Sequence, residues 1–151
     1  MALKIGDKLP DFSAKDTNGT IFNSQDYRGK QPLVIYFYPK DNTPGCTTQA
    51  CGFRDNYQEF KDLGAEVIGI SSDSVQSHLK FKSKFNLPFI LLSDHDKKLR
   101  RIFGVQNNLF VIPGRETFVI DKNGSVALMF NSMSATIHIE KALQTVKKLT
   151  K

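Results

Sequence analysis

Apolar residues recur along this chain in short blocks, separated by polar connections rich in Gly, Pro, Asn and Asp. Residues 33–38, LVIYFY, are a near-continuous run of β-branched and aromatic side chains. Such a run predicts a strand buried on both faces, as in a parallel sheet. Residues 65–71 (AEVIGIS) and 88–93 (PFILLS) repeat the pattern, the latter starting where proline is tolerated. Between these blocks the period changes. Phe53, Tyr57 and Phe60 share one face of a helix expected from about Cys46 to Leu63, and Gly64 stands where a C-cap glycine belongs. Ser72 or Asp73 is expected to cap a helix reaching about Phe85, with Leu79 and Phe81 at apolar positions. Asp94 or Asp96 is expected to cap a short helix carrying Leu99 and Phe103. ETFVI (116–120) and SVALMF (125–130) flank Asp121-Lys122-Asn123-Gly124, a hairpin signal. A last helix over roughly 135–149 carries Ile139, Leu143, Val146 and Leu149. A small hairpin is expected around Thr17-Asn18-Gly19.

The order is strand, helix, strand, helix, strand, helix, hairpin, helix. It predicts one α/β domain over residues 1–151, a three-layer sandwich with a central mixed sheet. A chain of 151 residues is long enough for such a core. Sites in these sheets lie beyond the C-terminal ends of strands. That points to the loop following residues 33–38.

Composition narrows the function classes. Apolar residues make up 40% and charged residues 24%, an ordinary soluble balance, and no run approaches the ~18 apolar residues of a membrane span. The beginning, MALKIGDKLPDF, lacks the apolar core of a signal peptide and is not Arg- and Ser-rich like a transit peptide. The default compartment is cytoplasmic, where thiols stay reduced; a mature organellar protein that had shed its targeting peptide would read the same. The net charge of +6 is concentrated in Lys97, Lys98, Arg100 and Arg101 and in Lys147, Lys148 and Lys151. These read as solvated helix faces. No zinc-finger spacing accompanies them, so neither a nucleic-acid nor a membrane partner is expected.

The candidate chemistry lies in YPKDNTPGCTTQACGF, residues 38–53, which holds both cysteines. On one helix, five residues separate Cys46 and Cys51 by about 7.5 Å of rise and about 140° of rotation. A disulfide needs Cα atoms roughly 4.4–6.8 Å apart, so the pair cannot bridge until the helix start unwinds. The spacing argues against a Cys-x-x-Cys exchanger. His78, His95 and His138 show no metal-ligand spacing. Sequential chemistry remains. Cys46 follows Thr-Pro-Gly at the expected helix N-terminus, where the dipole and free N–H groups favour a thiolate; it is the nucleophile candidate. Cys51 lies deeper and is the resolving candidate. A thiolate that attacks a peroxide becomes a sulfenic acid, which a second thiol condenses to a disulfide. Thr43 is placed to return its hydroxyl to the sulfur, and Pro39 to shape and dry the pocket. Attack also calls for a cation that favours the thiolate and orients peroxide. Arg115 and Arg54 are both candidates, and spacing does not choose between them. A protein thiol–disulfide oxidoreductase and a redox-sensing binding module are the competing readings.

The segment from Pro39 to Cys46 fits the peroxiredoxin pattern P-x-x-x-T-x-x-C, and YPKDNTPGCTTQACGFRD resembles the bacterioferritin-comigratory protein/peroxiredoxin Q subfamily. The resemblance continues through GDKLPDF, Pro113-Gly114-Arg115 before TFVID, and the terminal FNS…HIEKAL segment. It implies a thioredoxin-like fold, a peroxidatic Cys46, an activating Thr43, a pocket Pro39 and an active-site Arg115. It implies a resolving Cys51, joined to Cys46 in an intramolecular disulfide. It further implies reduction of hydrogen peroxide and organic hydroperoxides with electrons from thioredoxin or a related dithiol, no cofactor, and a monomer. Gln49 stands where many peroxiredoxins carry glutamate.

Overall fold

The computed structural model describes residues 3–105, 107–108, 112–113 and 115–150. Gly114 and Lys151, named above, lie outside the described residues. The elements follow as β1 (Ser13–Lys15), β2 (Ile21–Asn23), β3 (Leu33–Phe37), α1 (Pro44–Asp55), α2 (Tyr57–Asp62), β4 (Glu66–Ser71), α3 (Val75–Phe85), β5 (Ile90–Ser93), α4 (Lys98–Phe103), β6 (Asn107–Asn108), β7 (Ile112–Pro113), β8 (Glu116–Ile120), β9 (Val126–Asn131) and α5 (Ala135–Leu149). The sheet runs β2-β1-β5-β4-β3-β8-β9. β3, β4 and β5 are mutually parallel, while β8 joins β3, and β9 joins β8, antiparallel. This is the mixed sheet of a thioredoxin-like α/β fold.

The strand period of two explains the layers. Val34, Tyr36 and Tyr38 point into a core shared with Ala50 and Phe53 of α1, Phe60 of α2, Phe81 of α3, and Ile139, Ala142 and Val146 of α5. Leu33, Ile35 and Phe37 point the other way, against Leu99 and Phe103 of α4 and against Phe12 and Phe22 near the N-terminus. β3 is therefore buried on both faces along its length, as its unbroken apolar run demands.

Several local expectations shift. The helix expected from Cys46 to Leu63 starts at Pro44, with Thr43 as N-cap and proline in the first turn, where its missing N–H costs nothing. It breaks at Asn56, whose side-chain amide donates to Gly52 O at 2.8 Å and competes with the backbone ladder. The cap of α3 is Ser74, not Ser72 or Asp73; Ser77 N donates to its hydroxyl at 3.1 Å. Leu79 is 47% exposed, because His78 and Phe81 take the inward positions of α3. The N-cap of α4 is Lys97, not Asp94 or Asp96; these two instead accept from first-turn amides, Asp94 from Leu99 N and Arg100 N and Asp96 from Lys98 N. Arg100 leaves the solvated basic run and is buried, while Lys97, Lys98 and Arg101 stay exposed. The β6–β7 ladder was not anticipated.

Candidate active site

The site forms beyond the C-terminal end of β3, where the chain leaves the sheet at Tyr38 and enters α1. Two neighbours define that exit. β4 runs parallel on one side, and β8 runs antiparallel on the other, pairing Glu116 with Phe37. The residue just before β8, Arg115, is thereby carried to the start of α1.

Cys46 is the third residue of α1 and is buried among apolar side chains. At this depth the amides of Gly45 and Cys46 have no acceptor within the helix and face outward along its axis. Arg115, also buried, donates from Nη2 to Cys46 Sγ at 3.4 Å and from Nη1 to Gln49 Oε1. Gln49 thus fixes the guanidinium without neutralising it. Arg115 Nε and Gln49 Nε2 are buried and have no hydrogen-bond partner among the described residues. Gly45 matters sterically, since a Cβ there would lie 3.0 Å from Arg115 Nη2. Tyr36 packs in the same core as Cys46. Burial first, then the charges of Cys46 and Asp41, push its phenol well above the usual range, so it stays a neutral hydroxyl.

The other expected residues fall as follows. Thr43 closes the first turn through its carbonyl, which accepts from Thr47 N at 2.8 Å, and its hydroxyl donates to Lys40 O at 3.0 Å. Pro39 is half-buried at the exit from β3. Cys51 lies on α1 with Cys46, half-buried, and both thiols are free. Arg54 is elsewhere: it donates to Phe85 O at 2.8 Å and pairs with Asp55. Of the two candidate arginines, Arg115 is the one at the sulfur.

Sequence reasoning passed over a second polar group behind the loop. Tyr38, Asp41, Ser77 and His78 form a hydrogen-bonded cluster, and Asp73 joins it through Asp41 N at 2.8 Å. One atom each of Asp41, Asp73 and His78 lies within 4.8 Å of the others, but these atoms are engaged with one another, with Ser71 and with the Asp41 amide. Tyr38 and Asp41 sit inside the motif itself. His78 carried no signal, since the pattern set Leu79 and Phe81 at the apolar positions of α3. Arg100 reaches the same loop from α4, donating to Tyr38 O at 2.7 Å, and the sequence had placed it on a solvated face.

Fold and side-chain geometry together define a thioredoxin-like protein with one buried thiol in contact with an arginine. The AhpC/TSA family model matches residues 5–129. The chain is 49% identical over 146 residues to chloroplastic peroxiredoxin Q of Sedum lineare, covering 95% of this chain and 78% of that protein. It is 36% identical to peroxidoxin BcpB of Mycobacterium tuberculosis, with a TM-score of 0.89 over 97% of this chain and 98% of that one. Against a Xanthomonas campestris bacterioferritin comigratory protein studied for its alkyl peroxide reduction activity, identity is 32% and the TM-score 0.87, covering 96% and 100% of the two chains. The chain belongs to the AhpC/TSA family of peroxiredoxins, in its bacterioferritin-comigratory protein/peroxiredoxin Q branch. It is accordingly a thiol peroxidase. The Sedum relative is chloroplastic by name, which agrees with the organellar arm of the compartment expectation and not with its cytosolic default.

Proposed function

We propose that Cys46 is the peroxidatic thiol of a thioredoxin-dependent peroxidase for hydrogen peroxide and organic hydroperoxides, and that Cys51 resolves it. The observation that carries this reading is the 3.4 Å contact of the Arg115 guanidinium with Cys46 Sγ at the open N-terminus of α1. A thiolate there meets a full positive charge and the helix dipole from two directions. Attack on the terminal peroxide oxygen forms the S–O bond and breaks the O–O bond. The departing alkoxide or hydroxide takes a proton and leaves as alcohol or water, and Cys46 becomes a sulfenic acid. The unpartnered Arg115 Nε and Gln49 Nε2 are donors available to the peroxide oxygens as charge shifts onto the leaving group. Because the Thr43 hydroxyl donates to Lys40 O, its lone pairs are left to accept the peroxide O–H. Pro39, which offers no N–H, keeps that wall of the pocket free of a competing donor.

Resolution follows from the helix. Cys51 sits more than a turn from Cys46, so the first turns of α1 unwind before its sulfur displaces water from the sulfenic acid and closes the disulfide. Thioredoxin or a related dithiol then restores both thiols by exchange, itself becoming oxidised. In a coupled assay with thioredoxin and thioredoxin reductase, NADPH oxidation should depend on added peroxide and vanish in Cys46→Ser. Peroxide-independent oxidation would point instead to a protein disulfide reductase.

A further inference from the structure

The loop that delivers Thr43 and Cys46 is held from behind by a buried pair to which the peroxidase cycle assigns no part. His78 is 1% exposed and Asp41 5%. His78 Nε2 lies 3.0 Å from Leu92 O, and a carbonyl only accepts, so this nitrogen carries a hydrogen. Nδ1 lies 2.8 Å from Asp41 Oδ2, and Asp41 also accepts from Tyr38 Oη at 2.7 Å and Ser77 Oγ at 2.8 Å. His78 Nδ1 and Asp41 Oδ2 are thus hydrogen-bonded to each other, with Tyr38 Oη also 3.4 Å from Nδ1.

This pair sits under a turn with little freedom of its own. Asp41 N donates to Asp73 Oδ2 at 2.8 Å, and Asn42 adopts φ +64°, a left-handed conformation that tertiary contacts must hold. The next residue is Thr43 and the next element is α1. We infer that His78 is a positioning residue of the peroxidase: through its hydrogen bond to Asp41 it anchors the 38–43 turn, and so places the Thr43 hydroxyl and Cys46 for attack. The inference rests on the peroxidase reading and adds a residue from α3 to its machinery.

The two ring nitrogens can be tested separately. In His78→Asn the side-chain amide replaces Nδ1 and keeps the bond to Asp41. In His78→Gln the amide replaces Nε2, keeping Leu92 O and losing Asp41. Sulfenic acid formation at Cys46 is followed in a Cys51→Ser background by dimedone trapping and mass spectrometry, alongside thermal melts and, with Cys51 intact, steady-state kinetics. His78→Gln should slow oxidation by about tenfold or more, with KM for thioredoxin unchanged, while His78→Asn stays within about threefold of the parent. Asp41→Ala should resemble His78→Gln, and the Asp41→Ala/His78→Gln double variant should be no slower than the worse single. Unchanged oxidation in His78→Gln, equal losses in the Asn and Gln variants that track lost stability, or additive losses in the double variant would each overturn the inference. Should Asp41→Ala fail to fold, the Asn/Gln contrast still decides. Absence of peroxide-driven Cys46 oxidation in the parent would overturn the peroxidase reading itself, and this inference with it.

Discussion

At the scale of single residues, the site depends on small distances around one guanidinium. Arg115 has Gln49 on one nitrogen and Cys46 Sγ on another, and Gly45 leaves it room. Gly45→Ala should cost little stability, because the group it meets is the end of a flexible side chain. The displaced guanidinium should nonetheless slow Cys46 oxidation by about tenfold, since small misplacements weigh heavily on reacting groups; single-turnover peroxide kinetics with a parallel thermal melt separate the two effects. Much of this was legible in the chain. Thr-Pro-Gly before a cysteine marks a helix start, and α1 does begin at Pro44 with Cys46 in its first turn. Spacing left Arg115 level with Arg54 and only resemblance chose it, because a residue 69 positions from Cys46 reaches it by strand pairing that spacing does not encode. The Asp41–His78 pair was not legible for the same reason: 37 positions separate its members.

At the scale of elements, the proposed cycle requires α1 to be stable enough to hold Cys46 and loose enough to release Cys51. It leans on α5, where Gly52 admits Ile139: a Cβ on Gly52 would lie 2.8 Å from Ile139 Cδ1. Gly52→Val should destabilise the fold by about 1–3 kcal/mol through overpacking, read by urea denaturation. The start of α5 is pinned by His138, which lies 2.7 Å from Thr117 Oγ1 and donates to Ser132 O at 2.6 Å. Burial holds this imidazole below its usual 6.5; the Ser132 bond opposes the shift and Arg115 adds to it. As pH falls through about 6.5, the unfolded chain binds a proton at this site that the folded protein resists. Stability at this group is therefore full above that pH and lost toward acid. Thermal midpoints between pH 7.5 and 5 should fall more steeply for the parent than for His138→Gln, whose amide keeps the Ser132 bond. Element positions were the most legible level, because burial on both sides of β3 to β5 and β8 wrote apolar runs into the chain. What escaped was local competition: the Asn56 side chain that ends α1 early, and the preference of α3 for His78 over Leu79 on its inner face.

For the whole molecule, fold and branch agree with the expectation from the chain's pattern and motifs. The basic residues do not form one exposed run, since Arg100 is buried and donates to Tyr38 O while Lys97, Lys98 and Arg101 face solvent. Among the described residues no helix is long and apolar enough to cross a membrane. In the proposed cycle one segment holds both the attacking thiol and a second thiol kept away until the helix opens. Peptide-level mass spectrometry of the reduced protein after stoichiometric hydrogen peroxide tests it most directly. The predicted product is a Cys46–Cys51 bond within one chain, with a dimedone-trapped sulfenic acid on Cys46 in Cys51→Ser. An interchain bond, or undiminished peroxide consumption by Cys46→Ser, would contradict it.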